Sequence, residues 1–336
     1  MRRMNIAFLQ RRIRGRGVHR ILRARLQEAG HEVFTAYEDA TAEWQDADLL
    51  WMQGNANWFP LACRQLQRME SKRPRVVLWH TEPLPPRPGS GFQSSRLHLR
   101  EIVKMLLRHK QATDPYTNAA RLRKLQRIGL PDILAVSARS RQEFLASRGI
   151  ESHFVPLGYS GEAQGHLLGL PRDIDVLFLG TMQVPRRRRL VAQPRRAGID
   201  VQTEGGWTDP KAWNEDRTRL LNRTKILLSL QRHPGEFTGM RMLLGMSNGA
   251  MVLSEPIDLP DPYVPGLHYI EAPAEQMPAV IRHYLEHPEE RERIAAEGNR
   301  LMKELTMRAS VERILELIEA LETTAMEAHS SCISRS

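Results

Sequence analysis

Four consecutive arginines, Arg186–Arg189, follow the strand-like run Asp173–Gly180 and the loop Thr181–Pro185. At the start of a helix they oppose the macrodipole, which disfavours cations there. A bound diphosphate offsets that cost, because guanidiniums pair well with phosphate oxygens; a plain solvated turn is the competing reading. A second group lies between Thr224 and Glu255. The apolar run Ile226–Leu230 predicts a buried strand, and the polar turn Arg232–Glu236 follows it. Met240, Leu243, Leu244 and Met246 then recur at helical spacing and stop at Asn248-Gly249, and Ala250–Leu253 predicts a second buried strand. Such a β–loop–α–β unit places its loop at the carboxyl edge of a parallel sheet, where ligands bind. Glu236 is thereby placed to accept hydrogen bonds from a hydroxylated ligand; the alternative is a carboxylate that only favours the following helix start. A third candidate pair is His80 and Glu82, at the tip of the apolar run Arg75–His80, again where a substrate would be met. A loop histidine that merely hydrogen-bonds is the plainer account of His80. The weakest candidate is Gly15 and Gly17, in a basic loop between strand-like Met4–Leu9 and a helix start, an arrangement able to hold a phosphate or an acceptor.

These residues need parallel sheets to hold them. Strand-like runs at Met4–Leu9, His31–Ala36, Asp48–Gln53, Arg75–His80 and Asp132–Ser137 alternate with helical spacing in the first half. The second half repeats the alternation from Asp173. Prolines 83, 85, 86 and 88 enforce an extended segment after His80. Residues 94–128 carry two amphipathic helical patterns with interleaved basic residues, which suit either a solvated face or an anionic membrane surface. The glycine- and proline-containing stretch Gly161–Arg172 reads as a linker.

A chain of 336 residues with 41% hydrophobic and 26% charged residues describes a globular protein of two domains. No apolar run approaches the roughly 18 residues that span a bilayer, and no signal-peptide pattern stands at the start, so a cytoplasmic location is expected. Cys63 and Cys332, the only cysteines, support neither a disulfide framework nor a zinc site. The net charge of +10 favours phosphate-bearing ligands, anionic membrane surfaces or nucleic acid. Zinc spacing, helix-turn-helix and aromatic–basic patterns are absent from the sequence, so nucleic acid rests on charge alone and is not expected as a partner.

The pattern Glu236-Phe237, Gly239-Met240-Arg241, Leu243-Leu244-Gly245-Met246 and Asn248-Gly249 resembles the donor-site motif of GT-B glycosyltransferases. It is most similar to the group-1 (GT4-like) and CgeB-like branches. The run from Ile133 to Ser160 resembles the end of the first GT-B domain, and Asp261–Tyr269 the loop after the donor site. The resemblance implies an α/β, GT-B fold of two Rossmann-like domains facing a cleft, with a C-terminal helix crossing back. It implies a first domain over 1–158, a linker over 159–172, a second domain over 173–308, a crossing helix over 309–324 and a tail over 325–336. A nucleotide-diphosphate sugar would be the donor substrate, with no separate cofactor or metal and a retaining outcome. The acceptor would be a glycan, a lipid-linked molecule or a small molecule. Donor-side residues would be Gly180, Arg186, Arg187, Arg188, Arg189, Gly239, Arg241 and Glu255. Glu236 and His80 would face the donor sugar, and Gly15, Gly17 and Glu82 the acceptor. Peripheral contact with the inner membrane face is also expected. Where the family has a second glutamate, facing the ribose, this chain has Leu244; Glu255 is the expected substitute, and Leu244→Glu is expected to tighten nucleotide binding. That leucine also favours an alternative, a non-catalytic GT-B-like binding or scaffold protein.

Overall fold

The computed structural model describes residues 2–10, 18–55, 58–69, 72–92, 115–205, 214–237 and 239–333. The first domain is a six-stranded sheet in the order β2-β1-β3-β4-β5-β6. Its strands are β1 (Asn5–Gln10), β2 (Glu32–Tyr37), β3 (Leu49–Gly54), β4 (Arg75–His80), β5 (Ile133–Val136) and β6 (His153–Phe154). All pairings are parallel. Both faces of such a sheet are covered by helices, which is why its central strands read as unbroken apolar runs. Every residue of β3 is buried. One face packs on Ala62, Leu66, Leu122 and Phe144, the other on Ile21, Leu22 and Leu26.

The second domain has the order β11-β10-β9-β7-β8, also parallel. These strands are β7 (Ile174–Leu179), β8 (Gln202–Glu204), β9 (Thr224–Ser229), β10 (Met251–Ser254) and β11 (Ile270–Glu271). Two helices carry the candidate residues of this half, one over Pro185–Arg196 and one over Met240–Ser247.

The chain crosses between domains twice, side by side. Tyr159 N donates to Leu305 O, and Met307 N donates to Tyr159 O, each at 2.7 Å. A Cβ on Gly158 would lie 2.2 Å from Thr306 O, so only glycine fits this approach. The last helix, Met307–Ile333, then buries Val311, Ile314, Leu315 and Ile318 against Ile6, Phe8 and Trp51 of the first domain. It is longer than the expected crossing helix. Residues 325–333, expected as a frayed tail, continue it, because neither glycine nor proline interrupts the chain between Met307 and Ile333. The expected linker is likewise ordered: Gly161–Gln164 form one helical turn, and Asn222 and Asn248 bond main-chain groups of Gln164, His166 and Leu168.

Of the basic segment 94–128, the first pattern lies outside the described residues. The second is the helix Pro115–Arg127, which buries Leu122 and Leu125 and exposes Arg123, Lys124 and Arg127. Among the described residues no helix is long and apolar enough to cross a membrane.

Candidate active site

The carboxyl ends of the two sheets face each other. On the second-domain side, β7 ends at Leu179, and Gly180 N donates to Glu204 O at 2.8 Å. The helix Pro185–Arg196 begins with proline in its first turn, which suits a position with no amide partner. That helix buries one face only, and this splits the arginine run. Arg187 is buried at 5% exposure, whereas Arg188 and Arg189 are exposed, so the four arginines do not form one uniform patch.

Arg186 has a protein partner already. Its Nη1 donates to Glu255 Oε2 at 2.8 Å and to Gln231 O at 3.0 Å, and its Nη2 donates to Glu255 Oε1. Glu255, at 5% exposure, also accepts from Gln231 N at 2.9 Å. The buried pair therefore ties the Gln231 loop to the end of β10. Both oxygens of Glu255 are thus engaged within the protein, so a ribose would have to compete with Arg186 and Gln231 for them.

Arg187 and Arg241 are held differently. Arg187 Nε donates to Leu230 O at 3.1 Å, and Arg241 Nε donates to Leu179 O at 3.2 Å. Their guanidiniums lie 5.7 Å and 5.4 Å from the centre of the Phe178 ring. Both pKa values are depressed. Burial lowers Arg187 to about 9, with Arg241 and Arg232 adding to the effect and Glu236 and Glu255 opposing it. Burial lowers Arg241 to about 10, opposed by Glu236 and Glu255 and reinforced by Arg232. Two cations crowded in dry surroundings, each tethered through Nε, form a site that an anion would relieve.

Glu236 stands beside them in a tight turn. Its N donates to His233 O at 3.2 Å, and its Oε2 accepts from His233 N at 3.3 Å. Gly239, at φ +73°, starts the helix Met240–Ser247. Leu244, in that helix, is only 6% exposed and packs with Leu177, Leu179, Leu221, Leu227 and Ala250. Its surroundings are an apolar cluster.

The first domain contributes a residue that sequence reasoning missed. Arg141, in the helix Arg139–Ala146, is 4% exposed. Its Nη1 donates to Thr81 O at 2.9 Å and Ser137 Oγ at 2.8 Å, and its Nη2 crosses the cleft to Phe237 O at 2.8 Å. Burial depresses its pKa, and the carboxylates of Glu236 and Glu82 oppose the change. Burial likewise raises the Glu82 carboxyl, with Glu236 adding and Arg141 and Arg232 opposing. The arginine thus sits between one carboxylate from each domain. A sequence signal existed: Arg141 lies one helical turn after Ser137, at the carboxyl edge of β5.

His80 ends β4 opposite Gly54 and Val136, with no exposed surface. Neither ring nitrogen reaches hydrogen-bond geometry with a partner among the described residues. Burial, then Arg141, lowers its pKa to about 3, while main-chain groups of Gly54 and Glu82 oppose the shift. It is therefore neutral and buried behind the cleft surface, which corrects the expectation that it faces a donor sugar. Gly15 and Gly17 lie outside the described residues. Between the domains is an open cavity walled by Leu84, Pro85, Pro86, Pro115, Tyr116, Ser140 and Arg141 on one side and by the Glu236 loop and Asp258 on the other.

Known proteins resemble this arrangement. Residues 186–316 match the family described as "Glycosyl transferase-like". HepE from Anabaena, solved in complex with UDP-glucose, superposes with a TM-score of 0.64 at 11% identity, covering 94% of this chain and 100% of that one. Sucrose-phosphate synthase from Thermosynechococcus elongatus gives 0.61 at 13% identity, covering 96% and 100%. AviGT4, a glycosyltransferase involved in avilamycin A biosynthesis, gives 0.57 at 13% identity, covering 95% and 98%. No curated protein sequence matches. The protein has the fold of the GT-B glycosyltransferases, and its residues 186–316, which carry Arg187, Glu236 and Arg241, are similar to a glycosyltransferase-like family.

Proposed function

We propose that the protein transfers a sugar from a nucleotide-diphosphate sugar to an acceptor hydroxyl, without a metal ion and with retention, as a member of the group-1 or CgeB-like branch. The observation that carries this reading is the pair Arg187 and Arg241, each tethered through Nε, both near the Phe178 ring and both within the electrostatic reach of Glu236. When the bond from the sugar to the diphosphate breaks, negative charge collects on the phosphate oxygens. Fixed guanidinium donors stabilise that charge more than they stabilise the bound substrate, and this difference accelerates transfer. Glu236 accepts hydroxyls of the donor sugar. Arg141 holds the loop carrying Glu236 to the first domain through Phe237 O. The retaining outcome and the branch follow from the motif resemblance, Arg241 supporting the branch. We further propose a cytoplasmic protein that touches an anionic membrane through the exposed Arg123, Lys124 and Arg127.

Titration calorimetry with UDP and UDP-glucose, with and without a chelator, tests the donor side, and proton NMR of the product gives its anomeric configuration. Nucleotide binding that survives the chelator and is lost in Arg241→Gln is expected. One observation favours a second reading, a non-catalytic binding protein: apolar Leu244 stands where the resembled motif has a carboxylate. Absence of binding to every nucleotide-sugar tried would select it.

A further inference from the structure

One carboxylate in the cleft has no place in the donor chemistry. Asp258 N donates to Gly235 O at 3.2 Å, just after the bridge between Gly235 and Ile257, so the residue lies against the Glu236 loop. Arg87 reaches it from the first domain and places both Nε and Nη2 on one oxygen, Oδ1, at 3.0 Å. An arginine facing a carboxylate commonly divides its donors between the two oxygens. Here Oδ2 is left buried and without a hydrogen-bond partner among the described residues, on a side chain that is 6% exposed. A buried polar oxygen without a partner is costly and needs an explanation. Asp258 lines the cavity between the domains, so a donor from a bound molecule can supply what the chain does not.

The rest of the cavity says what carries that donor. Its first-domain wall is Leu84, Pro85, Pro86, Pro115 and Tyr116, largely apolar rings and C–H groups, together with Ser140 and Arg141. Both Nη groups of Arg141 are already engaged by Thr81, Ser137 and Phe237. The carboxylates of Glu236 and Asp258 line the same cavity, so its open charged hydrogen-bonding capacity is on the accepting side. A molecule with a flat apolar face and outward hydroxyls matches both walls. An anionic one would meet two like charges. We propose that Asp258 Oδ2 binds the acceptor, and that the acceptor is a neutral hydroxylated ring, a sugar or glycoside, lying on the wall of Pro85, Pro86 and Tyr116. This assignment rests on the transferase reading of the cleft, but it concerns the acceptor side alone.

Saturation-transfer NMR titrations of the full chain test it without any donor present. The probes are p-nitrophenyl β-D-glucopyranoside and its glucuronide. The neutral probe should bind saturably, and at least about tenfold more tightly than the glucuronide. Asp258→Asn should weaken it by about 10- to 100-fold, the loss expected for a hydrogen bond to a charged group. Arg87→Gln keeps the carboxylate and can still donate to Oδ1, so it should change binding less than about threefold. Tyr116→Ala should weaken binding about tenfold, and it carries the test if Asp258→Asn melts early by circular dichroism. Preference for the glucuronide, or wild-type binding by Asp258→Asn, would overturn the proposal. So would equal losses in Arg87→Gln and Asp258→Asn, which would make the pair an interdomain clasp. Neutral-probe binding with no turnover of any nucleotide-sugar would instead sink the transferase reading, and with it the acceptor role, while leaving the hydroxylated-ring site itself.

Discussion

Arg187→Gln should separate stability from function in opposite directions. The guanidinium is buried and its pKa is pushed down to about 9, burial being the first cause and Arg241 the second. The sign follows from the linkage of charge to folding: a cation with a depressed folded-state pKa destabilises the fold at every pH below that value. Each tenfold in that equilibrium is about 1.4 kcal/mol, so relieving the charge is worth a few kcal/mol at most. Against this stand the hydrogen bond to Leu230 O, about 1 kcal/mol, and the contact with the Phe178 ring, about 1–2 kcal/mol when desolvated. A net stabilisation of about 1 kcal/mol is expected, a rise of about 2–4 °C in melting temperature for a domain of this size. Nucleotide binding should move the other way. Losing a charged hydrogen bond of about 1.5–3 kcal/mol weakens affinity by about 10- to 150-fold, so added UDP should no longer raise the melting temperature. Differential scanning calorimetry with and without UDP reads both effects. A fall of several degrees in the free protein, or an undiminished UDP shift, would refute the reasoning that Arg187 is kept for an anion.

Glu236→Gln keeps the side-chain shape and removes its charge, so transfer should fall about 10- to 150-fold while the melting temperature moves by only a few degrees. A rate within about threefold of wild type would reduce Glu236 to a helix-start residue worth about 0.3–1 kcal/mol. Leu244→Glu places a carboxylate in an apolar cluster, so it should cost about 2–4 kcal/mol of stability and not tighten nucleotide binding. Tighter binding in calorimetry would restore the sequence expectation. For His80, the folded-state pKa of about 3 lies below the unfolded value, so the stability held above about pH 6.5 is lost as pH falls toward 3. Urea unfolding of wild type between pH 6 and pH 4 should therefore lose about 1.4 kcal/mol per pH unit more than His80→Gln does. Parallel curves for the two would show that His80 is protonated in the fold.

Much of the architecture is legible because a parallel sheet buried on both faces forces unbroken apolar runs, as in Leu49–Met52 and Ile226–Leu228. The loop bearing Glu236 is legible for the same reason, since it joins such a run to a helix that ends at Asn248. Side-chain partnerships are not. Arg141 meets Thr81 and Phe237, 60 and 96 positions away, and its place one helical turn after Ser137 hints at the cleft but not at those partners. The four-arginine run reads as one patch, but a helix buries only one face, so Arg187 and Arg189 have opposite fates. Glu255 looks available until Arg186 is seen to fill both of its oxygens. His80 stands at a strand tip, where exposure is the usual expectation, yet it has no exposed surface.

The paired crossings at Tyr159 and Thr306 carry a consequence for how the chain is made. Residues 160–305 leave and rejoin the first domain at one point, so the second domain is an insertion within the first. The first domain is then a discontinuous body, assembled from both extremes of the chain. During synthesis the inserted body emerges whole, while Ile6, Phe8 and Trp51 still lack the cover that Val311, Ile314 and Ile318 provide. The domain that begins first is therefore the one that finishes last, and an apolar face stays uncovered until the final helix leaves the ribosome. A nascent chain halted before Met307 would be half native. Its inserted domain would resist protease, and its first domain would be cut.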